Sequence, residues 1–356
     1  MLFLLMLHGR ETENGRSNIK GWLGRVNKTI LTDFHSMVRK GLLILSQRIA
    51  IMLSFSTSWK SIESITAEEM IAALKNLDIS GIELSYRISE GFFNKMKSAL
   101  KHSGLKVVSV HNYFPIPSVR SDSKGSGDLF FLSSCDDEER QNAIRFTVKS
   151  IEYAHEMGAM AVILHCGVVE MNHEMQVLYQ YANSNRLDSE EAQIFIRNKL
   201  RERDRRKPQH MDCLLASLDR LVVVAEKQGV LLGLENRYHY HELPGPDDFK
   251  VIFAEFKGAP IGYWHDTGHA HANETLGLIP RESLFQSYSD ELIGVHLHDA
   301  IRLDDHIPPG SGEIDFAALT SSLNADTIKV IELKPGIPAS EVLEGIKFIR
   351  QKLSEA

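Results

Sequence analysis

A group of metal-ligand side chains follows an apolar segment in the stretch IGYWHDTGHAHA, which spans residues 261–272. The segment ends at His265 and Asp266, and His269 and His271 come within the next five positions. A surface turn rich in histidine would give this pattern. A buried strand whose carboxyl end presents imidazole and carboxylate groups to a metal ion would also give it. The second interpretation requires further ligands from other strand ends.

The same pattern recurs along the chain, which favours the metal interpretation. Six consecutive strand-like segments end in an imidazole or a carboxylate, namely His111, His165, Glu235, Asp266, His296 and Glu332. Each of these residues alone is more often structural, with its hydrogen bonds satisfied. Acids and imidazoles that are buried together, however, are costly unless a cation neutralises them. Nitrogen and oxygen ligands in this combination suit zinc, manganese, cobalt or iron(II).

Eight short apolar segments alternate with amphipathic segments of helical length and must position these ligands. The strand candidates are RIAIMLSF (48–55), GIELS (81–85), LKVVSVH (105–111), AVILHCG (161–167), VLLGLEN (230–236), IGYWHD (261–266), LIGVHLHD (292–299) and IKVIELKPG (328–336). Such alternation indicates parallel strands joined by right-handed crossovers. Eight continuously apolar strands predict an α/β fold, a single (β/α)8 TIM barrel in which the carboxyl ends of the strands meet at one rim.

The barrel is predicted to occupy residues 47–356, and residues 1–46 are an N-terminal extension of uncertain order. A helical insertion follows the fourth strand, over residues 166–208. In a barrel of this kind, the strand ends determine the type of chemistry and the loops over the mouth determine the substrate. The insertion and the loop at 112–134 match no pattern that identifies a substrate.

Composition excludes several classes of protein. With 43% hydrophobic and 24% charged residues, the chain is typical of a globular enzyme, and its net charge of -7 argues against attraction to nucleic acid through the overall field. The three cysteines, Cys135, Cys166 and Cys213, show no CxxC spacing and indicate neither a disulfide framework nor a thiolate zinc site. No apolar run reaches the ~18 residues of a membrane span, and the opening MLFLLML lacks the features of a signal peptide. We therefore expect a cytoplasmic protein without a membrane partner.

Five motifs resemble those of the xylose isomerase-like TIM barrel superfamily, which includes sugar phosphate isomerases and epimerases and endonuclease IV. The motifs are LGLEN, HDTGHAHA, VHLHDA, DDHIPPGSGEIDF and VIELKPG, and the resemblance covers roughly residues 48–350. In the epimerases one divalent metal is held by a Glu, Asp, His, Glu set, which the resemblance carries to Glu235, Asp266, His296 and Glu332. Endonuclease IV holds three zinc ions, and its added ligands match His111, His165, His269, Asp304 and His306. The resemblance therefore implies one to three ions of zinc, manganese or cobalt.

This resemblance implies an isomerase or epimerase that acts on a small-molecule sugar or sugar phosphate through an enediolate. Glu235 and Glu332 are the catalytic candidates, one removing a proton and the other returning it on the opposite face. The five further histidine and aspartate positions would hold a second metal or the substrate. Arg237 would bind a phosphate or carboxylate of the substrate, or else form a salt bridge at the rim. Homo-oligomerisation is left open.

Two alternatives remain. The first is an endonuclease IV-like multi-zinc phosphodiesterase acting on damaged DNA. A DNA partner is expected under this hypothesis alone. Such an enzyme must grip a DNA backbone, yet the only concentrated basic stretch, RNKLRERDRRK at 197–207, is interrupted by acids and indicates a solvated helix face. The second alternative is a non-catalytic sugar-binding barrel, which would not need so many convergent ligands.

Overall fold

The computed structural model describes residues 52–61, 65–120, 124–280 and 282–355. The predicted N-terminal extension over residues 1–46 lies outside these described residues. The predicted boundary at residue 47 lies outside them as well and stays a prediction.

Eight parallel strands close into a barrel in which every strand pairs with its neighbours in the sequence and the last strand pairs with the first. The strands are β1 Leu53–Ser56, β2 Gly81–Leu84, β3 Lys106–His111, β4 Ala161–Leu164, β5 Leu231–Glu235, β6 Ile261–Asp266, β7 Leu292–Leu297 and β8 Ile328–Ile331. Each falls within or across one of the eight predicted apolar segments. The (β/α)8 prediction is therefore confirmed.

Ten α-helices connect or follow the strands within the described part of the chain. They are α1 Ala67–Lys75, α2 Glu90–Lys101, α3 Asp137–Met157, α4 Met175–Asn183, α5 Glu190–Gln228, α6 Asp248–Glu255, α7 Thr267–Thr275, α8 Ser283–Ser287, α9 Phe316–Ser321 and α10 Ala339–Glu355. None of these helices combines the length and the apolar character that crossing a membrane would require.

Local signals account for several helix boundaries. Thr66 and Glu69 form a reciprocal capping box at the start of α1, in which each side chain accepts a hydrogen bond from the other's backbone N–H. Helices α3 and α5 end at Gly158 and Gly229, whose φ angles of 70° and 67° lie in the left-handed region that glycine tolerates. Because these ends are sharp, β4 and β5 begin within a few residues.

A small cluster of apolar side chains, separate from the larger core, comprises Val108, Ala161, Ile163, Trp264, Ile328 and Val330. Successive side chains of a strand point to opposite faces, so residues two positions apart share a face. Ile163 precedes His165 by two positions, and Val330 precedes Glu332 by two. The cluster therefore lies on the same side of the strands as the polar rim residues, inside the barrel and beneath its mouth.

The predicted insertion after β4 is helical, but it does not end where the sequence suggests. Helix α5 runs for 39 residues from the insertion into the crossover that leads to β5, and Pro208 lies inside it. Lys199 and Arg203, in the basic stretch, are buried. Arg203 Nη2 is 2.6 Å from Asp248 Oδ2, and Lys199 forms an ion pair with Glu174. The prediction of a solvated face is wrong for these two residues, since each forms an ion pair with a neighbouring segment.

Two short antiparallel ribbons lie beyond the carboxyl ends of the strands. Gly167–Val168 pairs with Glu242–Leu243, which joins the segment after β4 to the segment after β5. Asp299–Ile301 pairs with Asp304–Ile307, which forms a hairpin directly after β7. These ribbons hold the loops that carry several of the candidate site residues.

Candidate metal centre

Glu235 lies at the carboxyl end of β5, and its carboxylate contacts imidazoles from three other strand ends. Its Oε2 atom is 2.7 Å from His165 Nε2 and 3.6 Å from His111 Nε2. Its Oε1 atom is 2.6 Å from His296 Nδ1. The residue is only 1% exposed. Histidines at the ends of β3, β4 and β7 therefore meet around one buried carboxylate, as convergence at the barrel rim predicts.

Four of the predicted residues form what we call the first group: His111, Glu235, His296 and Glu332. Each offers one ligand atom, the four atoms lie within 4.8 Å of one another, and all four residues are buried. Glu332 comes directly after β8, and its Oε2 atom is 3.2 Å from His296 Nδ1. Three of the four residues that the resemblance implies as the epimerase metal set are therefore together, with His111 as the fourth member.

Electrostatic interactions within the first group keep both glutamates ionised. Burial alone would raise the pKa of Glu235, but the charge of His296 and hydrogen bonds from the surrounding imidazoles hold that pKa well below its ordinary value. Burial also opposes ionisation of Glu332, and the charges of His296 and His111 outweigh it, so the pKa of Glu332 is lowered. The carboxylates thus stay in the charged, acceptor-only form that metal binding and proton abstraction both need.

The pKa of His296, which lies between these acids, is shifted upward. Burial would lower the pKa of His296, yet the carboxylates of Glu332, Glu83 and Glu235 raise it well above the ordinary value. The His296 imidazole therefore supplies positive charge among these buried carboxylates, as a bound cation would.

Asp266, His269 and His306 form a second group, and their ligand atoms also lie within 4.8 Å of one another. Asp266 ends β6 and caps α7, since its Oδ1 atom accepts a hydrogen bond of 2.7 Å from the backbone N–H of His269. His269 Nδ1 is bonded at 3.0 Å to the Asn236 carbonyl oxygen, which leaves Nε2 as the ligand atom. Burial lowers the pKa of His269, which favours the neutral imidazole that a metal binds.

Asp266 also connects the two groups. Its Oδ2 atom is 3.6 Å from His296 Nδ1, and His306 Nε2 is 3.9 Å from Glu332 Oε2. The structure therefore brings together all four residues of the implied Glu, Asp, His, Glu set, although Asp266 belongs to the second group with His269 and His306.

Asp304 lies apart from both groups. Its side chain is 71% exposed and its Oδ1 atom is 2.6 Å from Lys334 Nζ. Its neighbour Asp305 faces the site instead, with Oδ1 3.0 Å from His306 Nδ1. Burial would raise the pKa of Asp305, but the hydrogen bond from His306 and its charge lower that pKa to about 2. The course of the hairpin, in which His306 has a left-handed φ of 54°, thus turns the second aspartate of the DDH motif toward the site.

His298 belongs to the site but was not singled out in the sequence. Its Nε2 atom is 3.0 Å and 2.9 Å from the two carboxylate oxygens of Asp266. Its Nδ1 atom accepts a 2.9 Å hydrogen bond from the backbone N–H of His306, and the two rings stack with centroids 3.9 Å apart. The spacing in VHLHD contained the signal, because His296 and His298 are two positions apart and so share a face.

The buried Arg237 and the half-buried Asp128 form a polar network behind Glu235. Arg237 Nη2 is 3.0 Å from Asp128 Oδ2 and 3.1 Å from Glu242 Oε1, and its Nη1 atom is 3.8 Å from Glu235 Oε2. Asp128 Oδ2 is in turn 3.1 Å from His165 Nδ1. Arg237 thus forms salt bridges, which was the predicted alternative to substrate binding. Its Nη1 and Nε atoms lack a hydrogen-bond partner among the described residues.

Asp128 was missed because it lies in a loop without a recognisable pattern. The loop approaches His165 closely at Gly127, where a Cβ atom would lie 2.6 Å from the imidazole Nδ1. Burial would raise the pKa of Asp128, but the charges of Arg237 and His165 lower it to about 2. The pKa of His165 is raised to about 9, since burial and Arg237 lower it less than the contacts with Asp128 and Glu235 raise it. Asp128 therefore orients His165 toward Glu235.

Glu83, on β2, is the other acid that the sequence analysis passed over. It is fully buried, and its Oε2 atom is 3.1 Å from His296 Nε2. The rule that selected strand-end ligands on the six later strands applies to GIELS as well, and it would have selected Glu83. The polar site therefore draws on seven of the eight strands of the barrel.

Comparison with known proteins gives one family and several more distant relatives. A family model described as xylose isomerase-like TIM barrel matches residues 71–352. The uncharacterised protein MJ1311 of Methanocaldococcus jannaschii is 26% identical over 156 residues, which make up 41% of this chain and 52% of that protein. The match therefore spans about half the length of that relative.

Solved structures of sugar epimerases share the architecture. The 3-keto-D-glucoside 4-epimerase YcjR from E. coli aligns with a TM-score of 0.58 and 17% identity, over 84% of this chain and 99% of that one. A D-allulose 3-epimerase from Methylomonas sp., solved in complex with D-allulose, aligns with a TM-score of 0.58 and 13% identity, over 85% and 96% of the two chains. At these identities the likeness shows the fold.

Proposed function

We propose, on the premise that this chain belongs to the xylose isomerase-like TIM barrel family, that it is a divalent-metal-dependent isomerase or epimerase of a sugar or sugar phosphate. The observation that carries the proposal is the first group, in which two ionised glutamates and two histidines converge on one buried point at the rim. The structural neighbours named above are keto-sugar epimerases, which supports a ketose as the substrate.

The side chains of the first group suit a divalent ion. Ligand atoms around one ion at about 2.1 Å are at most ~4.2 Å apart, so the observed spread of up to 4.8 Å would close with small side-chain movements. Glu235, His296, Glu332 and the nearby Asp266 would hold this ion, and the second group would hold another in a protein that binds more than one. Zinc, manganese and cobalt fit the donor atoms. When bound, such an ion polarises a ketose carbonyl and so acidifies the neighbouring C–H bond.

Removing a proton from the sugar would form the enediolate, and returning a proton would consume it. Glu332 and Glu235 are the candidates for these two transfers. A general base must be ionised and must have an oxygen available to the substrate. Both oxygens of Glu235 already contact imidazoles, at 2.6 Å and 2.7 Å. Glu332 contacts His296 through one oxygen at 3.2 Å. We therefore assign the first proton abstraction to Glu332. Glu235 would act as a ligand and return a proton that it first takes from the protonated imidazole of His165, whose Nε2 atom is 2.7 Å from its Oε2 atom.

Solvent deuterium exchange tests this proposal. Protein loaded with Mn²⁺, Co²⁺ or Zn²⁺ would be incubated in D₂O with a panel of ketoses and ketose phosphates, and deuterium next to the carbonyl would be measured by NMR. We expect exchange with at least one sugar, and a loss of about 100-fold or more in Glu332→Gln, which removes acid–base catalysis. Asp315→Asn is the matched control, because Asp315 caps α9 and asparagine caps equally well.

Failure would take a recognisable form. If the parent binds no metal and exchanges no sugar in the panel, the proposed activity is wrong. If it binds a sugar without exchange, the non-catalytic sugar-binding barrel would explain the data better.

The second group favours one competing function, the multi-zinc phosphodiesterase. Two of its three ligands, His269 and His306, would serve a second ion that a sugar epimerase does not need. Against this, Lys199 and Arg203 in the basic stretch are buried in ion pairs, which reduces the charge available to a DNA backbone. Metal content per chain in the parent and in a His269→Ala/His306→Ala variant, followed by an abasic-DNA cleavage assay, separates the two functions. A single ion that the variant retains supports the epimerase, and two or three zinc ions with cleavage support the phosphodiesterase.

A further inference from the structure

We propose that Glu83 is a positioning residue for the metal ligand His296. With a metal ion bound, Glu83 would hold the imidazole so that the Nε2–H group donates to Glu83 and the Nδ1 lone pair is free to bind the ion among the rim carboxylates. This inference rests on the proposed function, because it presupposes that the first group binds a metal. It assigns a role to a buried acid that none of the proposed steps uses.

Opposite sides of the His296 ring face different partners. Nε2 is 3.1 Å from Glu83 Oε2. Nδ1 is 2.6 Å from Glu235 Oε1, 3.2 Å from Glu332 Oε2 and 3.6 Å from Asp266 Oδ2. A neutral imidazole carries one N–H, and its other nitrogen is the metal ligand. Since the residues of the first and second groups surround Nδ1, this nitrogen is the ligand atom, and the proton must stay on the side of Glu83.

Glu83 is itself held in a rigid setting. Ser109 lies opposite Glu83 in the register of β2 and β3, and its Oγ–H donates a 2.8 Å hydrogen bond to Glu83 Oε2. Both residues have no exposed surface. An oxygen that accepts a hydrogen bond from Ser109 is an acceptor for the Nε2–H group of His296 as well. The strand register thus sets the tautomer of a histidine on the other side of the barrel.

The cost of burying Glu83 argues that it serves the site. Its Oε1 atom is buried and has no hydrogen-bond partner among the described residues, and such an atom is expensive in a barrel interior. A cluster of apolar side chains lies in the same interior, and an apolar residue at position 83 would avoid the cost. A carboxylate behind a metal-bound imidazole orients the ring and increases its basicity, which typically changes metal affinity by 10–100-fold.

Two ring contacts support the same orientation. The Trp264 ring meets the His296 ring edge-on with centroids 5.2 Å apart, and the His111 ring stacks on it at 5.7 Å. These neighbours limit rotation of the imidazole, so Glu83 acts on a ring that is already confined. Its specific contribution is the choice of the protonated nitrogen and the strength of the ligand.

Titration with Co²⁺ tests the inference. Metal affinity and the visible d–d absorption of the Co²⁺ protein would be measured for the parent, Glu83→Gln and Ser109→Ala. We expect Glu83→Gln to bind Co²⁺ 10–100-fold more weakly and to shift the d–d bands, because the amide lacks the negative charge that strengthens the ligand. Ser109→Ala should change both readouts in the same direction and by less, and it keeps the test available if Glu83→Gln does not fold.

Asp248→Asn is the matched control, since it also replaces a buried carboxylate by an amide, but in an ion pair with Arg203 outside both groups. It should bind Co²⁺ like the parent at a temperature where it is folded. Unchanged affinity and spectrum in Glu83→Gln would overturn the inference and leave the proposed function standing. A loss of one protein ligand by X-ray absorption in Glu83→Gln would also overturn it, because Glu83 would then be a ligand itself. A parent that binds no metal would instead contradict the proposed function.

Discussion

Asp299 should control the hairpin that brings His306 to the site, and replacing it by asparagine should release that hairpin. The side chain is 1% exposed. Its Oδ1 atom accepts hydrogen bonds from the backbone N–H groups of Ala300 and Ile314, at 2.9 Å and 3.1 Å. Its Oδ2 atom accepts from Gly310 and Gly312, at 2.9 Å and 2.8 Å. One carboxylate thus ties the start of the hairpin to the loop that follows it.

The free-energy cost of Asp299→Asn can be estimated from the hydrogen bonds that each carboxylate oxygen accepts. In Asp299→Asn, Oδ1 can keep its two donors, whereas an amide NH₂ replaces Oδ2 and faces the N–H groups of Gly310 and Gly312. A buried donor that loses its acceptor costs about 1–3 kcal/mol. Gly310 and Gly312 are exposed, so water can reach their N–H groups and the lower half of this range applies. We expect roughly 2–4 kcal/mol, which is a ~30-fold to ~1,000-fold increase in local opening at 1.4 kcal/mol per factor of ten.

Hydrogen exchange measured by mass spectrometry would show the effect in peptides that cover residues 302–314. Asp315→Asn is the control, since it makes the same chemical change at a helix N-cap, where asparagine and aspartate are equivalent. Exchange in this segment should accelerate in Asp299→Asn and stay unchanged in Asp315→Asn. If exchange in Asp299→Asn differs from the parent by less than about threefold, the four hydrogen bonds do not hold the hairpin, and the reasoning fails.

Three stability predictions follow. Gly294→Ala should destabilise the barrel by about 1–3 kcal/mol or more in urea denaturation, because the added Cβ would overlap the buried indole of Trp264. Gly91→Ala, where the new Cβ would meet no atom within 4 Å beyond its own helix backbone and chain neighbours, should instead stabilise the protein by roughly 0.5–1 kcal/mol. Asp248→Asn should cost about 3–5 kcal/mol at neutral pH, because it leaves Arg203 buried without its carboxylate. The folded pKa of Asp248 is lowered by Arg203 against the effect of burial, so the stabilisation is present above the unfolded pKa of about 3.9. The difference between parent and variant should therefore shrink as the pH falls below about 4, and a constant difference would contradict this account.

The barrel and its rim residues could be predicted because both depend on short-range patterns. An apolar strand must place alternate residues on one face, and parallel strands must end at one rim. Glu235 and His296 therefore meet although they are far apart in the chain. The same rule also selects Glu83 and His298, so the sequence contains a signal for both residues.

Other parts of the site depend on contacts that no local pattern contains. Asp304 and Asp305 are equivalent in sequence, and only the hairpin register decides that Asp305 faces His306 while Asp304 pairs with Lys334. The sequence around Asp128 has no regular pattern that would predict the course of its loop. Lys199 is likewise part of a charged stretch that reads as solvent-exposed, and its burial depends on where α4 lies relative to α5.

The hairpin also separates the two candidate functions, because only one of the two groups depends on it. Glu235, His296 and Glu332 come from or directly follow barrel strands, so the first group should survive opening of this hairpin. His306 reaches Asp266 only through the hairpin that Asp299 holds. An epimerase that relies on the first group should therefore keep its metal and most of its deuterium exchange in Asp299→Asn. A phosphodiesterase that needs the second group should lose an ion and its cleavage activity together. The same variant thus distinguishes the functions by which group the chemistry requires, without touching a ligand of either.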